Sequence, residues 1–282
     1  MPSDILSSGY KTAAAVTDVG KKRDNNEDAV LMLNRLGCYA VSDGMGGGAA
    51  GEIASSTVVT YLRNAIQQTP LLPESRRECF REAVYAAHNA ICAYASKRDY
   101  ESMGATLAAI LLNPWDPGVA DLYHAGDSRI YRLRGRRLER LTTDHTVGNA
   151  SGLSETQLPA GMSGLLSNVV GIPHGFFLTN QSAHIRKGDI VLICSDGLYR
   201  QITEEQLASD LYRAKDLQQL LDRWVKQAAE AGGIDNLSAV LIRFGSLPKP
   251  YVPTEDEVRE NQTPVQPAAA DSSDDEAETI VS

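Results

Sequence analysis

The chain has 282 residues, 43% of them hydrophobic and 22% charged, with a formal net charge of -9 at pH 7. That length and apolar content can close one large core or two small ones, and the absence of a basic surplus excludes whole-chain attraction to nucleic acid or to an anionic membrane surface. The negative charge is local: Glu255, Asp256, Glu257, Glu260, Asp271, Asp274, Asp275, Glu276 and Glu278 face only Arg259 after Val252, nine acids against one base, so this end carries about -8 and the remainder is near neutral.

Residues 10–18, 29–33 and 37–42 predict short strands, separated by a polar segment up to Asp28 and by Asn34-Arg35. From Ala49 to about Gln68 the apolar positions Ile53, Val58, Leu62 and Ile66 recur at helical spacing, as do Phe80, Val84, Ala87, Ile91 and Tyr94 between Glu74 and Lys97. A second strand block covers 105–112, 119–125, 129–134 and 136–141, broken at Asn113-Pro114, Gly126-Asp127 and Arg134-Gly135. Residues 142–175 are rich in Gly, Ser and Thr without periodicity, which is long for a structural connection and predicts a functional flap. The chain then returns to strand at 190–195, turns at Asp196-Gly197, and continues through helices near 203–211 and 215–230 to a last strand at 237–244. The expected organisation is an N-terminal extension at 1–8, one domain at 9–245 and an acidic, disordered tail at 246–282.

Cys38, Cys79, Cys92 and Cys194 form no CxxC pair and suggest neither a zinc site nor a disulfide framework. With no apolar leader and no apolar run of membrane-spanning length, a cytoplasmic protein is expected.

The chemistry concentrates where apolar strands stop. Glu27-Asp28, Asp43, Asp196 and Asp235 each lie at a strand end or in the turn beside it, and Asp43-Gly44 and Asp196-Gly197 place glycine directly after the acid. Hard divalent cations take carboxylate, carbonyl and water oxygens, so such a set suits Mg²⁺ or Mn²⁺ without His or Cys. Singly, each Asp-Gly is ordinarily a turn, Glu27-Asp28 a solvated loop and Gly126-Asp127-Ser128-Arg129 a hairpin with a local ion pair.

Taken in order, Arg23-x-x-x-Glu27-Asp28, Asp43-Gly44-Met45-Gly46-Gly47, Met103-Gly104-Ala105-Thr106, Gly126-Asp127-Ser128-Arg129, Leu141-Thr142-x-Asp144-His145, Ser195-Asp196-Gly197-Leu198 and Gly233-x-Asp235-Asn236 resemble the bacterial branch of the PP2C-type metal-dependent protein serine/threonine phosphatases. The resemblance covers roughly 9–245. It implies an α+β fold, a four-layer α-β-β-α sandwich of two antiparallel sheets flanked by helices. It also implies two Mn²⁺ or Mg²⁺ ions per subunit: Asp43 bridging them, Glu27 and the Gly44 carbonyl completing one, Asp196 and Asp235 completing the other. Asp28 would orient the attacking water, Arg23 would clamp the substrate phosphate, and Asp127 would share a third, weaker ion with Asp196. The implied reaction is attack of a metal-bridging hydroxide on phosphorus, without a covalent phosphoenzyme. No general acid is assigned, because Met45 stands where some relatives carry histidine.

The flap departs from the pattern. Leu166 to Gly171 matches a segment in which relatives carry arginine where this chain has Asn168, which bears on substrate choice and the third ion. His88, His124, His145, His174 and His184 are expected in core or surface roles, His145 being the best placed of them for chemistry. The expected substrate is a phosphorylated protein, a Ser/Thr kinase or its targets, with no nucleic-acid or membrane partner. Thr254, Thr263, Ser272, Ser273 and Thr279 lie among acids, where phosphorylation would create a site for a phosphothreonine reader; a solubilising tail is the plainer expectation. The alternative function is a non-catalytic phosphoprotein-binding or regulatory module on the same fold.

Overall fold

The computed structural model describes residues 9–100, 102–152, 158–159, 162 and 164–252. The expected extension at 1–8, the tail beyond 252 with its candidate phosphorylation sites, and part of the flap lie outside the described residues. Strands β1 (Lys11–Asp18), β2 (Asp28–Leu33) and β3 (Cys38–Met45) precede the long helices α1 (Ala49–Gln68) and α2 (Pro73–Lys97). Five strands follow: β4 (Gly104–Ala105), β5 (Leu107–Leu112), β6 (Val119–Ala125), β7 (Arg129–Arg134) and β8 (Arg137–Arg140). The rest comprises α3 (Val147–Ser151), β9 (Thr179–His184), β10 (Ile190–Cys194), α4 (Asp196–Tyr199), α5 (Glu204–Arg213), α6 (Leu217–Glu230) and β11 (Leu237–Phe244).

The strands form two sheets, one ordered β1-β11-β10-β7-β8 and the other β2-β3-β5-β6-β9 with β4 paired to β3, and all pairings are antiparallel. Period-2 alternation sorts each central strand between two cores. Cys38 and Ala40 of β3, with Leu107, Ala109 and Leu111 of β5, face α1 and α2, where Val58, Leu62, Phe80, Val84 and Ile91 meet them. Their neighbours Tyr39, Val41, Ala108, Ile110 and Leu112 turn the other way and meet Val191, Ile193, Val240 and Ile242 of the opposite sheet. Leu192 and Cys194 of β10 and Ala239 and Leu241 of β11 face α5 and α6, against Leu207, Leu211, Leu221 and Trp224. Burial on both faces explains the near-continuous apolar runs of β5, β10 and β11, and the result is the expected α-β-β-α sandwich. β9 was not legible as a strand: Thr179–His184 is mostly exposed and polar, an edge pairing with β6 that needs backbone hydrogen bonds but no apolar face.

This topology also delivers the acids to one place. Antiparallel pairing puts Asp43, near the end of β3, opposite Asp28 at the start of β2. It puts the end of β10, just before Asp196, beside the start of β7 just after Asp127, and near the start of β11 just after Asp235. Carboxylates from both sheets therefore gather at one edge of the sandwich. No helix among the described residues is long and apolar enough to cross a membrane.

Candidate active site

Arg23, Glu27, Asp43, Asp127, Asp196 and Asp235 line one cleft of about 530 Å³. Arg200 and the flap residues Leu165 and Leu166 complete its wall.

Asp43 and Glu27 are held by their backbones, and their side chains line the cleft. Asp43 N–H donates to Thr106 Oγ1 at 2.9 Å, and Thr106 N–H donates back to the Asp43 carbonyl at 2.8 Å. Thr106 Oγ1 lies 2.6 Å from Ser128 Oγ, which ties the Met-Gly-Ala-Thr segment to the Gly-Asp-Ser-Arg turn. Glu27 N–H donates to Asn236 Oδ1 at 2.8 Å, and Asn236 Nδ2 donates to the carbonyls of Val19 and Asn25 at 2.9 and 3.1 Å. One asparagine thus fixes the loop that carries Arg23 and Glu27 against the start of β11. The Glu27 carbonyl accepts from Gly44 N–H at 3.0 Å and from Ser55 Oγ at 2.5 Å. Gly44 is also required sterically, because a Cβ there would overlap the Gly51 carbonyl at the start of α1.

The electrostatics are those of crowded, buried anions. Burial first, then the charges of Asp28, Asp196, Asp127 and Asp235, raise the Asp43 carboxyl well above its ordinary value. Burial pushes Asp28 up to about 6, with Ser238 and Ser195 opposing, and pushes Asp196 up to about 7 against the pull of Arg200. Asp127 is raised for the same first reason. Asp28 accepts from Ser195 Oγ on Oδ2 at 2.8 Å, but its Oδ1 is buried with no hydrogen-bond partner. A crowd of repelling carboxylates, all hard oxygen donors and one with an orphaned oxygen, fits divalent cations of the Mg²⁺ or Mn²⁺ kind. Among the described residues no group of three Asp, Glu, His or Cys is closed around one point as it stands. Arginines engage the acids instead: Arg23 Nη2 lies 2.9 Å from Asp235 Oδ1, and Arg200 Nη2 lies 2.9 Å from Asp196 Oδ2.

All eight residues singled out in the sequence therefore come together: Arg23, Glu27, Asp28, Asp43, Gly44, Asp127, Asp196 and Asp235. Thr106, Ser128, Ser195 and Asn236 belong with them as positioning residues; each sits inside a recognised motif, which was the available signal. Arg200 had none. No cysteine lines the cleft, and Met45 does, offering no ionisable group there.

Asn168 and His145 hold the flap. Asn168 is 2% exposed, donates to the Phe177 carbonyl at 2.8 Å and accepts from Phe177 N–H at 3.2 Å. His145 Nδ1 lies 3.0 Å from Asn168 Nδ2 and 3.2 Å from Gly126 N–H, both donors, so the ring proton resides on Nε2, 3.1 Å from Thr179 Oγ1. In place of a cation, this position carries an amide that closes the loop from 168 to 177.

His124 lies beside it, its ring tilted 50° with the centroid 4.6 Å from that of His145, and donates from Nε2 to the Ser128 carbonyl at 2.9 Å. Burial, aided by His145, pushes the His124 pKa down to about 4. As pH falls, the unfolded chain takes up this proton near 6.5 and the folded chain only near 4. Stability is therefore lost across that window, by roughly 3 kcal/mol at about 1.36 kcal/mol per unit. Urea melts are expected to show the wild type's stability advantage over His124→Gln shrinking by that amount between pH 7 and pH 4. A constant gap would contradict a buried neutral imidazole.

A family model described as Protein phosphatase 2C matches residues 20–242. Protein phosphatase PhpP of Streptococcus pneumoniae is 30% identical over 236 residues, spanning 80% of this chain and 95% of its own length. Serine/threonine protein phosphatase PstP of Mycobacterium tuberculosis is 35% identical over 242 residues, spanning 81% of this chain and 44% of its own length. Among solved structures, a PstP catalytic domain in complex with 2 manganese ions matches with a TM-score of 0.71 at 32% identity, covering 84% of this chain and 99% of that one. PppA of Pseudomonas aeruginosa, described as a key regulatory component of T6SS, matches with a TM-score of 0.75 at 29% identity, covering 84% and 98%.

Proposed function

Since this chain belongs to the protein phosphatase 2C family and is a protein-serine/threonine phosphatase, we propose that it hydrolyses phosphoserine and phosphothreonine with two divalent cations, Mn²⁺ or Mg²⁺, opposing a Ser/Thr protein kinase. The observation that carries this reading is the crowding of the part-buried Asp43 against Asp28, Asp127, Asp196 and Asp235, three of which are buried, a charge arrangement that is costly without cations. Asp43, Glu27 and the Gly44 carbonyl would hold one ion, and Asp43, Asp196 and Asp235 the other. When bound, such ions neutralise charge on phosphate oxygens and acidify water so that it can attack phosphorus.

The chain's own residues do the remaining work. Asp28 offers its unpartnered Oδ1 to orient a water, while Ser195 fixes its other oxygen. Arg23, half exposed at the mouth, is held by Asp235; neutralising that acid releases a planar guanidinium that can take two phosphate oxygens. Leu165 and Leu166 form an apolar lip beside it. Met45 has no proton to give the leaving serine or threonine oxygen, so that proton must come from water or from another group. In this reading residues 9–245 are the catalytic domain and 246–282 a separate acidic extension.

The complete carboxylate set favours turnover over a purely binding module. Hydrolysis of p-nitrophenyl phosphate and of phosphothreonine peptides is expected with Mn²⁺, and is expected to vanish with EDTA and in Asp196→Asn. Inactivity with every divalent ion tried, or activity indifferent to EDTA, would overturn the proposal.

A further inference from the structure

Arg200 follows α4 directly, and both of its ion pairs use the same nitrogen: Nη2 stands 2.9 Å from Asp196 Oδ2 and 3.7 Å from Asp127 Oδ2. It therefore spans the gap between two carboxylates that the sequence had matched to a shared third cation. Asp127 has a second partner from its own chain, because the Tyr199 hydroxyl lies 3.3 Å from its Oδ2 and 3.1 Å from its carbonyl oxygen. Tyr199 is itself fixed, with the Arg129 guanidinium 3.6 Å above its ring and Arg129 clamped to Asp144. So Asp127 already has both a neutralising charge and a hydrogen bond, neither of which a carboxylate kept for a metal ion requires.

We propose that the guanidinium of Arg200 takes the place of a third cation between Asp127 and Asp196, so that the chain binds two divalent ions and completes the charge of the cleft with its own arginine. The inference rests on the two-cation reading above. A guanidinium bonded to one oxygen of Asp196 leaves the other oxygen for an ion shared with Asp43 and Asp235. A further divalent ion at Asp127 would have to displace Arg200 and then lie near its charge, an arrangement disfavoured on both counts. The arginine also does what a bound ion does at the mouth of such a cleft. Its side chain is 54% exposed, its closest approach to each acid is through Nη2, and a five-donor fork can also offer N–H groups to a phosphate oxygen in the cleft that Arg23 lines too. The Asn168 amide, standing where relatives place a flap cation, fits the same picture of a cleft whose extra positive charge comes from Arg200.

The test is metal stoichiometry, measured by equilibrium dialysis at free Mn²⁺ well above that needed to saturate the first ions, on wild type, Arg200→Ala, Arg200→Lys and the double variant Arg200→Ala with Asp127→Asn. Wild type is expected to bind two ions, Arg200→Ala three, Arg200→Lys two because the ammonium keeps the charge, and the double variant two because the uncovered acid is gone. Arg200 lies at an exposed helix end, so cooperative melting of Arg200→Ala is expected to confirm that it folds. Three ions on the wild type, or two on Arg200→Ala, would overturn the assignment while leaving the phosphatase reading intact. No ions on any of the four would overturn both.

Discussion

Asp43→Asn is expected to lower Mn²⁺-dependent turnover on the order of 10³-fold, about 4 kcal/mol of barrier, while raising the melting temperature of the metal-free protein. The two effects have one cause. Asp43 is held at the join of the sheets by backbone bonds to Thr106, which the amide variant keeps, and its carboxylate faces four other aspartates. Its folded pKa is raised above the unfolded one, so the folded chain binds this proton more tightly. Stability is then full below the ordinary carboxylate pKa and is lost as pH rises toward the folded value. Asp28 and Asp196, pushed up to about 6 and about 7 chiefly by burial, extend that loss toward neutrality. Asparagine removes one charge from the crowd, and its advantage in metal-free buffer is expected to grow as the pH rises above the ordinary carboxylate range. Each kcal/mol relieved raises the midpoint by about 2–4 °C in a domain of this size. Mn²⁺ is expected to reverse the order, because an ion that binds only the folded state adds about 2.7 kcal/mol at a hundredfold excess over its Kd, and only the wild type keeps the carboxylate proposed to bridge the ions. Scanning calorimetry with and without Mn²⁺ checks both signs. A metal-free variant that melts below wild type would contradict the account of repulsion among the acids.

What could be read beforehand follows from where the physics is local. β3, β5, β10 and β11 announce themselves through apolar runs, because burial on both faces demands such residues at every position. The acids are visible for the complementary reason: a carboxylate that interrupts an apolar run, with glycine after it, is conspicuous. Partner choice is not local. β1 pairs with β11 across more than two hundred residues, and alternation says nothing about which strand lies alongside, so the two-sheet sandwich came only from the resemblance and the strand order only from the structure. β9 lacked a signal because an exposed edge asks for none. In the site, Thr106, Ser195 and Asn236 act through backbone partners brought from distant segments, and as isolated letters they resemble any polar turn residue. Arg200 carries no motif of its own, and only the fold sets its side chain between Asp127 and Asp196.

Asp144→Asn is expected to cost about 3–5 kcal/mol of stability, the range for breaking a buried ion pair by removing one partner. Asp144 accepts from Arg129 Nε on Oδ1 at 3.0 Å and from Nη2 on Oδ2 at 2.7 Å, with side-chain exposures of 10% and 17%. Arg129 Nη1 also donates to Tyr131 Oη at 3.0 Å, and Tyr131 donates to Glu204 Oε1 at 3.1 Å. These bonds hold the Arg129 charge raised in pKa despite a burial that opposes it. An amide at 144 keeps the shape but forfeits the charge, leaving the Arg129 guanidinium with the exposed Glu204, 3.9 Å away, as its ion-pair partner. Because the Arg129 guanidinium lies against Tyr199, whose hydroxyl reaches Asp127, the loss is expected to pass into the cleft as a looser Asp127 turn beside Arg200. Deleting both charges tests whether the pair stabilises or merely avoids a penalty. If the cost of Asp144→Asn is mainly the stranded cation, combining it with Arg129→Met should recover more than half of the lost stability in urea melts. Additive losses in the double variant would show instead that each side chain stabilises the fold independently, and the Leu-Thr-x-Asp-His and Gly-Asp-Ser-Arg segments would then not act as one unit.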